Sequence, residues 1–273
     1  VHEKEGWPTP SGKQEFYSET MIEFGYPEHS IPHYRINSHV HPSKLQEENA
    51  YCLLPNFRLP QHIHSRSANA KWLAEIAHKN PIWIHPKDAE KLGVSEGELL
   101  KIQTEIGWFV DKVWVTESIK PGVVACSHHI GRWRREQDRG NRFMTNTVEI
   151  TDNGDGKMRM RTVEGVNSWE SSDPDTNRIW WRDGGVHQNI THAVQPDPIS
   201  GAHCWLQKVW LSKPRDGEAY GDVEVDMNKS MAHYKKWNDW AKERETHPRG
   251  ERRPLWMKRP LAPKAEHFIL KKE

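Results

Sequence analysis

The residues best suited to chemistry in this 273-residue chain crowd into residues 58–67, RLPQHIHSRS. Arg58 and Arg66 supply guanidinium groups, Ser65 and Ser67 hydroxyls, His62 and His64 imidazoles. Placed between a buried strand and a helix start, guanidinium, hydroxyls and free helix N–H groups together suit a phosphate or pyrophosphate. The same stretch also reads as a polar loop whose serines cap the helix. His62 and His64 could point to one side of an extended chain and bind a metal. Spacing places no third ligand, HExxH is absent, and His128, His129, His187 and His192 stand isolated along the chain. Most of the 17 His are therefore read as ordinary hydrogen-bonding groups, and no metal site is assigned.

A second candidate is residues 128–135, HHIGRWRR. Gly131 and Arg132 follow a strand end and could reach an anionic group; the remaining arginines read as a solvated basic loop. The segment DNGDG, residues 152–156, has the look of a calcium loop. It fails the test, because Thr151 and Thr162 fall where the first ligand and the bidentate Glu belong. It is read as a turn. Cys52, Cys126 and Cys204 are the three cysteines, far apart and without CxxC. They hold no iron–sulfur cluster or zinc by spacing and are read as small buried hydrophobes.

Positioning these residues needs short strands. Residues 51–55, YCLLP, suit a buried strand. Residues 68–78 read as a helix with Trp72, Leu73, Ile76 and Ala77 on one face and Ser67 or Asn69 as N-cap. Residues 81–85 form a strand, and 86–92 a short helix closed by Gly93. Residues 99–104 and 108–115 flank a hairpin turn; 123–126 and 205–211 add strands. The result is a mainly β domain with short helices, a closed barrel of mixed topology. Residues 132–180 read as an insertion. The Pro-rich residues 1–49 read as a connector, and residues 213–273 as a helix followed by an extended tail over 247–264.

Lys plus Arg number 39 and Asp plus Glu 38, so bulk charge directs the chain to neither nucleic acid nor an anionic membrane. The basic tail, residues 248–264, is read as docking on other protein. No stretch approaches the ~18 apolar residues that would span a bilayer. The 14 Trp on a polar background suggest rings packed under loops or against a ring-bearing ligand. The chain begins at Val1, which suggests processing or the tail of something longer.

The order of segments resembles the dinucleotide-binding domain of the dimethyl sulfoxide reductase family of molybdenum oxidoreductases. The carrying segments are residues 58–67, residues 80–98 (NPIWIHPKDAEKLGVSEGE) and residues 121–124 (PGVV). Upstream, residues 7–16 (WPTPSGKQEF) resemble the family's connector. Downstream, residues 184–189 (GGVHQN), 196–198 (PDP) and 200–201 resemble its loop over the pterin. Phe57 stands where several relatives have Gly. The resemblance implies a double-psi β-barrel over residues 50–212 with extended N- and C-terminal arms. It implies a C-terminal fragment of a catalytic subunit that binds molybdopterin guanine dinucleotide, with molybdenum or tungsten, for oxygen-atom or two-electron transfer in anaerobic respiration. Arg58, His62, His64, Ser65 and Ser67 would line the dinucleotide, while Gly185, Gln188 and Asn189 would approach the pterin. The metal-ligating side chain and an iron–sulfur cluster would lie in earlier domains. An iron–sulfur electron-transfer subunit is the implied partner, with no nucleic acid and no direct membrane insertion. The compartment stays open, periplasmic or cytoplasmic. The loop at 64–67 and the strand at 80–85 lean toward the polysulfide and thiosulfate reductases. Two alternatives are a stand-alone barrel that binds a nucleotide or partner without catalysis, and a small metalloenzyme using its His.

Overall fold

The computed structural model describes residues 7, 9, 11–23, 26–33, 40–55, 59–64, 70–138, 145–166, 172–175, 183–195, 202–203 and 205–242. The chain divides into two compact units, residues 1–36 with 238–273, and residues 37–237. In the first, helix α1 (Glu19–Glu23) and a 3-10 turn (Pro27–His29) are held by the Ser18 N–H donating to Ser30 O at 2.7 Å. Tyr26 is buried there, edge-on to His29. The tail expected over residues 247–264 lies outside the described residues.

The second unit is a barrel with a sheet attached. Alternation of apolar residues specifies six short strands: β1 (Ala50–Leu54), β2 (Ile82–Ile84), β3 (Leu99–Gln103), β4 (Gly107–Val115), β5 (Val123–Ala125) and, after β6–β8, β9 (Gln207–Ser212). They run in the order β2-β5-β1-β9-β3-β4, and β4 pairs back with β2, so the sheet closes. Two pairs are parallel, β1 with β5 and β2 with β4; crossover connections join them, as the double-psi reading requires. Tyr51 and Leu53, Ile82 and Ile84, Leu100 and Ile102, Val209 and Leu211 are each two residues apart and all face the core. Burying each such aliphatic side chain is worth about 1.5–3 kcal/mol, which fixes the register against a one-residue slip.

The helices are α2 (Lys71–Ile76), α3 (Pro86–Leu92) and α4 (Met227–Lys242). α3 starts as expected, with Pro86 in its first turn and the His85 ring accepting from the Lys87 N–H at 3.1 Å, and it ends at Gly93. α2 differs from the expectation. It begins at Lys71 behind Ala70, which makes no side-chain cap, so neither Ser67 nor Asn69 is its N-cap. Its buried residues are Lys71 and Ala74, while Trp72 and Ile76 are exposed. A helix this short has too few turns for apolar periodicity to dictate which side packs.

Within residues 132–180, read as an insertion, the described strands extend the same sheet. β6 (Trp133–Arg135), β7 (Asn146–Asp152) and β8 (Lys157–Glu164) join through β10 (Val223–Asp226), which pairs with both β8 and β4. The domain therefore reaches past the expected boundary at 212. The turn read at 152–156 connects β7 to β8, with Gly154 N–H donating to Asp152 Oδ1 at 2.8 Å.

Asp222, fully buried, ties this extension together. It accepts from Arg159 Nη2 at 2.5 Å, Arg161 Nε at 2.9 Å and the Ala219 N–H at 2.9 Å. Burial alone would raise its pKa, but the hydrogen bonds from Arg161, Ala219 and Arg159 outweigh that and hold it below the usual carboxylate range. Asp111 is the opposite case. Only its Oδ1 has a partner, the Lys112 N–H at 2.7 Å, and burial drives its pKa well above normal.

Two outcomes follow. Asp222→Ala, which strands both arginines, lowers unfolding stability in urea by roughly 2–4 kcal/mol. For Asp111 the folded pKa exceeds the unfolded one, so stability falls as pH rises above the unfolded value, by at most about 1.4 kcal/mol per pH unit. Asp111→Asn removes that slope, and its urea midpoint exceeds that of the parent at pH 8 by more than it does at pH 4.

Candidate functional site

Several of the described sequence-assigned residues, His64, Gly185, Gln188 and Asn189 among them, lie near the segment that leaves β5, residues 126–131. Asn80, just before β2, is the hub. Its Nδ2 donates to Ser127 O at 2.7 Å and to Val186 O at 2.9 Å, and its Oδ1 accepts the Val186 N–H at 2.8 Å. The side chain is 1% exposed, so these bonds are made away from competing water. Cys126 donates Sγ–H to Asn80 O at 2.9 Å; its thiol is buried and, by that burial, pushed well above its usual pKa, as a structural rather than reactive cysteine would be. Cys204 lies outside the described residues.

The GGVHQN loop is pinned on both sides. Gly131 N–H donates to Gly184 O at 2.8 Å. Gly131 sits at φ +92, and a Cβ there would stand 2.3 Å from Val186 O, so only glycine permits this approach. Asn146 of β7 grips the loop from the extension, donating to Gly185 O at 2.9 Å and accepting from Gly184 N–H at 3.0 Å. Asp183 accepts the Gly185 N–H at 2.9 Å and the Tyr220 hydroxyl at 2.6 Å, with Lys79 Nζ at 3.8 Å. Gly185, at φ +79, faces Asn80 Oδ1 where a side chain would begin.

Gln188 and Asn189 come next. Gln188 is 1% exposed, yet neither its Nε2 nor its Oε1 has a hydrogen-bond partner, and Asn189 Oδ1 is likewise buried and unpartnered. An unsatisfied buried polar group costs about 1–3 kcal/mol, so the Gln188 amide and the Asn189 oxygen each call for an explanation. The surrounding loop is well held: Thr191 Oγ1 donates to Gln188 O at 2.7 Å, and Thr104 Oγ1 donates to Thr191 O.

The described part of the 58–67 loop, residues 59–64, reaches the same segment. His64 lies 4.7 Å from the His128 ring and 4.9 Å from the His129 ring, centroid to centroid. Asn189 Nδ2 donates to His128 O at 3.5 Å, so both loops meet at His128. Trp205 stacks on His128 at 5.0 Å. Burial, with the neighbouring imidazoles His203, His128 and His187, pushes His192 down to about 3. His62 does not join this group. It is buried, with Nε2 2.6 Å from Ala77 O, and holds its loop to the end of α2. Arg132 is half-buried, and its carbonyl accepts the Asn146 N–H at 3.0 Å. Arg58, Ser65, Arg66 and Ser67 lie outside the described residues.

Sequence reasoning placed the two loops but passed over Asn80 as a hub and treated His128 and His129 as isolated. The signal for Asn80 was faint: an Asn at a strand entrance, with partners 47 and 106 residues away.

With this geometry in place, comparison with known proteins defines the class: residues 53–163 match the molydopterin dinucleotide binding domain. Residues 53–163 thus carry that domain, and the chain is similar around it to the following relatives. It is 36% identical over 74 residues to a putative catalytic subunit of dimethyl sulfoxide reductase from Halobacterium salinarum, covering 27% of this chain and 9% of that one. It is 30% identical over 154 residues to the probable oxidoreductase YoaE of Bacillus subtilis, covering 55% and 20%. It is 25% identical over 158 residues to the molybdopterin-containing subunit of the arsenate respiratory reductase from Chrysiogenes arsenatis, covering 48% and 19%. The chain thus spans a fifth or less of the length of these relatives. Among solved structures, acetylene hydratase from Pelobacter acetylenicus aligns with 77% of this chain and 24% of its own, at 19% identity and a TM-score of 0.47.

Asn80→Ala strands the Val186 N–H and two carbonyls. It costs on the order of 3 kcal/mol in chemical denaturation, and amide exchange at Val186 rises before that of the barrel strands.

Proposed function

We propose that the chain is the C-terminal, cofactor-covering part of the catalytic subunit of a molybdopterin-dependent oxidoreductase, with the barrel at residues 50–212 preceded by a connector. The observation that carries this is the buried, unpartnered amide of Gln188, with the buried, unpartnered Oδ1 of Asn189 next to it, on a glycine-lined loop at the barrel end. A pterin presents fused rings edged with donors and acceptors, and amides that both donate and accept complement such an edge. Gly131 and Gly185 bring backbone close, and Arg132 with Arg58, Ser65, Arg66 and Ser67 would serve the dinucleotide's phosphates. His62 supports the loop and is not assigned to the ligand. His64 lies at the shared edge.

The cofactor, when bound, supplies the oxygen-atom or two-electron transfer at molybdenum or tungsten. This chain's residues bind and orient. Asn80 and Asn146 fix the 184–189 backbone from opposite sides, so Gln188 and Asn189 are aimed before the ligand arrives and little ordering is left to the binding step. The metal-ligating side chain and any iron–sulfur cluster belong to preceding domains, and an iron–sulfur electron-transfer subunit is the fitting partner. Relatives at similar identity act on different substrates, a thiosulfate reductase subunit of Salmonella typhimurium and a trimethylamine-N-oxide reductase of Haemophilus influenzae among them. The lean toward polysulfide and thiosulfate reduction therefore rests on the 64–67 loop and the 80–85 strand alone. Among the described residues, no helix is long and apolar enough to cross a membrane.

Gln188→Leu separates this reading from a purely structural role. In the protein carrying these residues, cofactor content after purification falls, while the cofactor-free form is stabilised by about 1–3 kcal/mol as an unsatisfied buried amide is removed. Unchanged pterin and metal content would defeat the assignment.

A further inference from the structure

We propose that His64, His128 and His129 form a binding site for a divalent transition-metal cation of the zinc type. The site goes beyond the dinucleotide reading and stands without it. Each of the three offers a ring nitrogen, and these nitrogens all lie within 4.8 Å of one another. The ring centroids are 4.7, 4.9 and 4.6 Å apart around the triangle. Tetrahedral coordination by imidazole at about 2.0–2.1 Å separates ligand nitrogens by about 3.3 Å. Closing the triangle therefore asks for side-chain adjustment only, and His64, the exposed member, has room to make it.

Three further observations favour a cation. His128 Nδ1 lies 2.8 Å from Pro55 O. A carbonyl only accepts, so Nδ1 carries the proton and Nε2 presents its lone pair. An imidazole that donates its other N–H to a backbone carbonyl is the usual state of a metal-bound histidine. The Trp205 ring, stacked on His128 at 29°, fixes the orientation further. Next, His128 and His129 are 7% and 4% exposed, so their rings are held in place away from bulk water. Finally, His64 adopts φ +44, a left-handed conformation that side-chain-bearing residues avoid. Strain of this kind gathers where a residue has a task, and here it holds the third ring over the buried pair.

The donor set selects the ion. Imidazoles alone suit zinc, copper, cobalt or nickel, whereas magnesium and calcium require oxygen ligands. Three ligands, one of them exposed, leave a fourth position for water or an anionic ligand.

The test uses the full protein, stripped with chelator and equilibrated with zinc at micromolar concentration. We expect one more zinc per chain in the parent than in His64→Ala, and a first coordination sphere with three imidazoles by X-ray absorption at the zinc edge. His128→Ala and His129→Ala lower zinc affinity by about tenfold or more; the exposed His33→Ala does not. Because the buried variants could misfold, His64→Cys provides an independent arm: zinc returns with one sulfur and two nitrogen ligands. Absence of zinc uptake by the parent, or uptake unchanged in His64→Ala, overturns the site. Pterin content measured on the same samples reports separately on the dinucleotide reading.

Discussion

The structure at the barrel end depends on one buried carboxamide. Asn80 has a donor and an acceptor on adjacent atoms, the same pairing a peptide group offers, and it uses both on Val186. In effect it adds a one-residue rung to a loop that has no strand to lean on. Water cannot compete at 1% exposure, so the bonds keep most of their strength. Everything else assigned to the rim follows from where Val186 is held. Gly131 must be glycine because Val186 O stands against it, and Gln188 and Asn189 fall two and three residues further on. No isostere serves as well: Asp lacks the donor and Leu lacks both groups.

The barrel was legible because its physics is local. Alternation in Tyr51/Leu53, Ile82/Ile84 and Leu100/Ile102 specifies buried faces, and the Pro86 to Gly93 punctuation specifies α3. The rim was legible only in part. Residue types in GGVHQN and the 58–67 loop point to ligand chemistry, but nothing in their spacing says that they meet at His128. The meeting is arranged by strand order. Likewise, His64 pairs across the fold with His128 and His129 instead of with His62, its neighbour in sequence. Alternation along the loop suggested the latter; the turn at His64, with its positive φ, undoes it. α2 misled for another reason. Trp72 and Ile76 mark an apolar stripe that this chain leaves exposed.

Electrostatics divides the buried carboxylates by partner. Asp222 has two guanidiniums and an amide, and its pKa is held below the usual carboxylate range; Asp111 has one amide, and burial raises its pKa well above that range. Asp183 has Tyr220 and Lys79 beside it and the Gly185 amide on its other oxygen. The contrast between Asp222 and Asp111 reflects how many donors each site supplies against the cost of leaving water.

β4 has a role beyond the barrel it closes. Val113–Val115 of β4 pair with β2, whereas Gly107–Phe109 pair with β10. The extension is thus assembled from two separate pieces of chain, β6–β8 ahead of β9 and β10 after it, and among the described residues β10 is the strand that hydrogen-bonds it to the barrel. A barrel without that late strand would present the first half of β4 as an open edge, with unpaired N–H and C=O groups beside Phe109. Such an edge invites strands of other molecules. The four residues Val223–Asp226 therefore serve as a seal against self-association as much as a bridge, and any ancestral or engineered form lacking them would need Pro, Lys or a bulge along β4 to remain soluble.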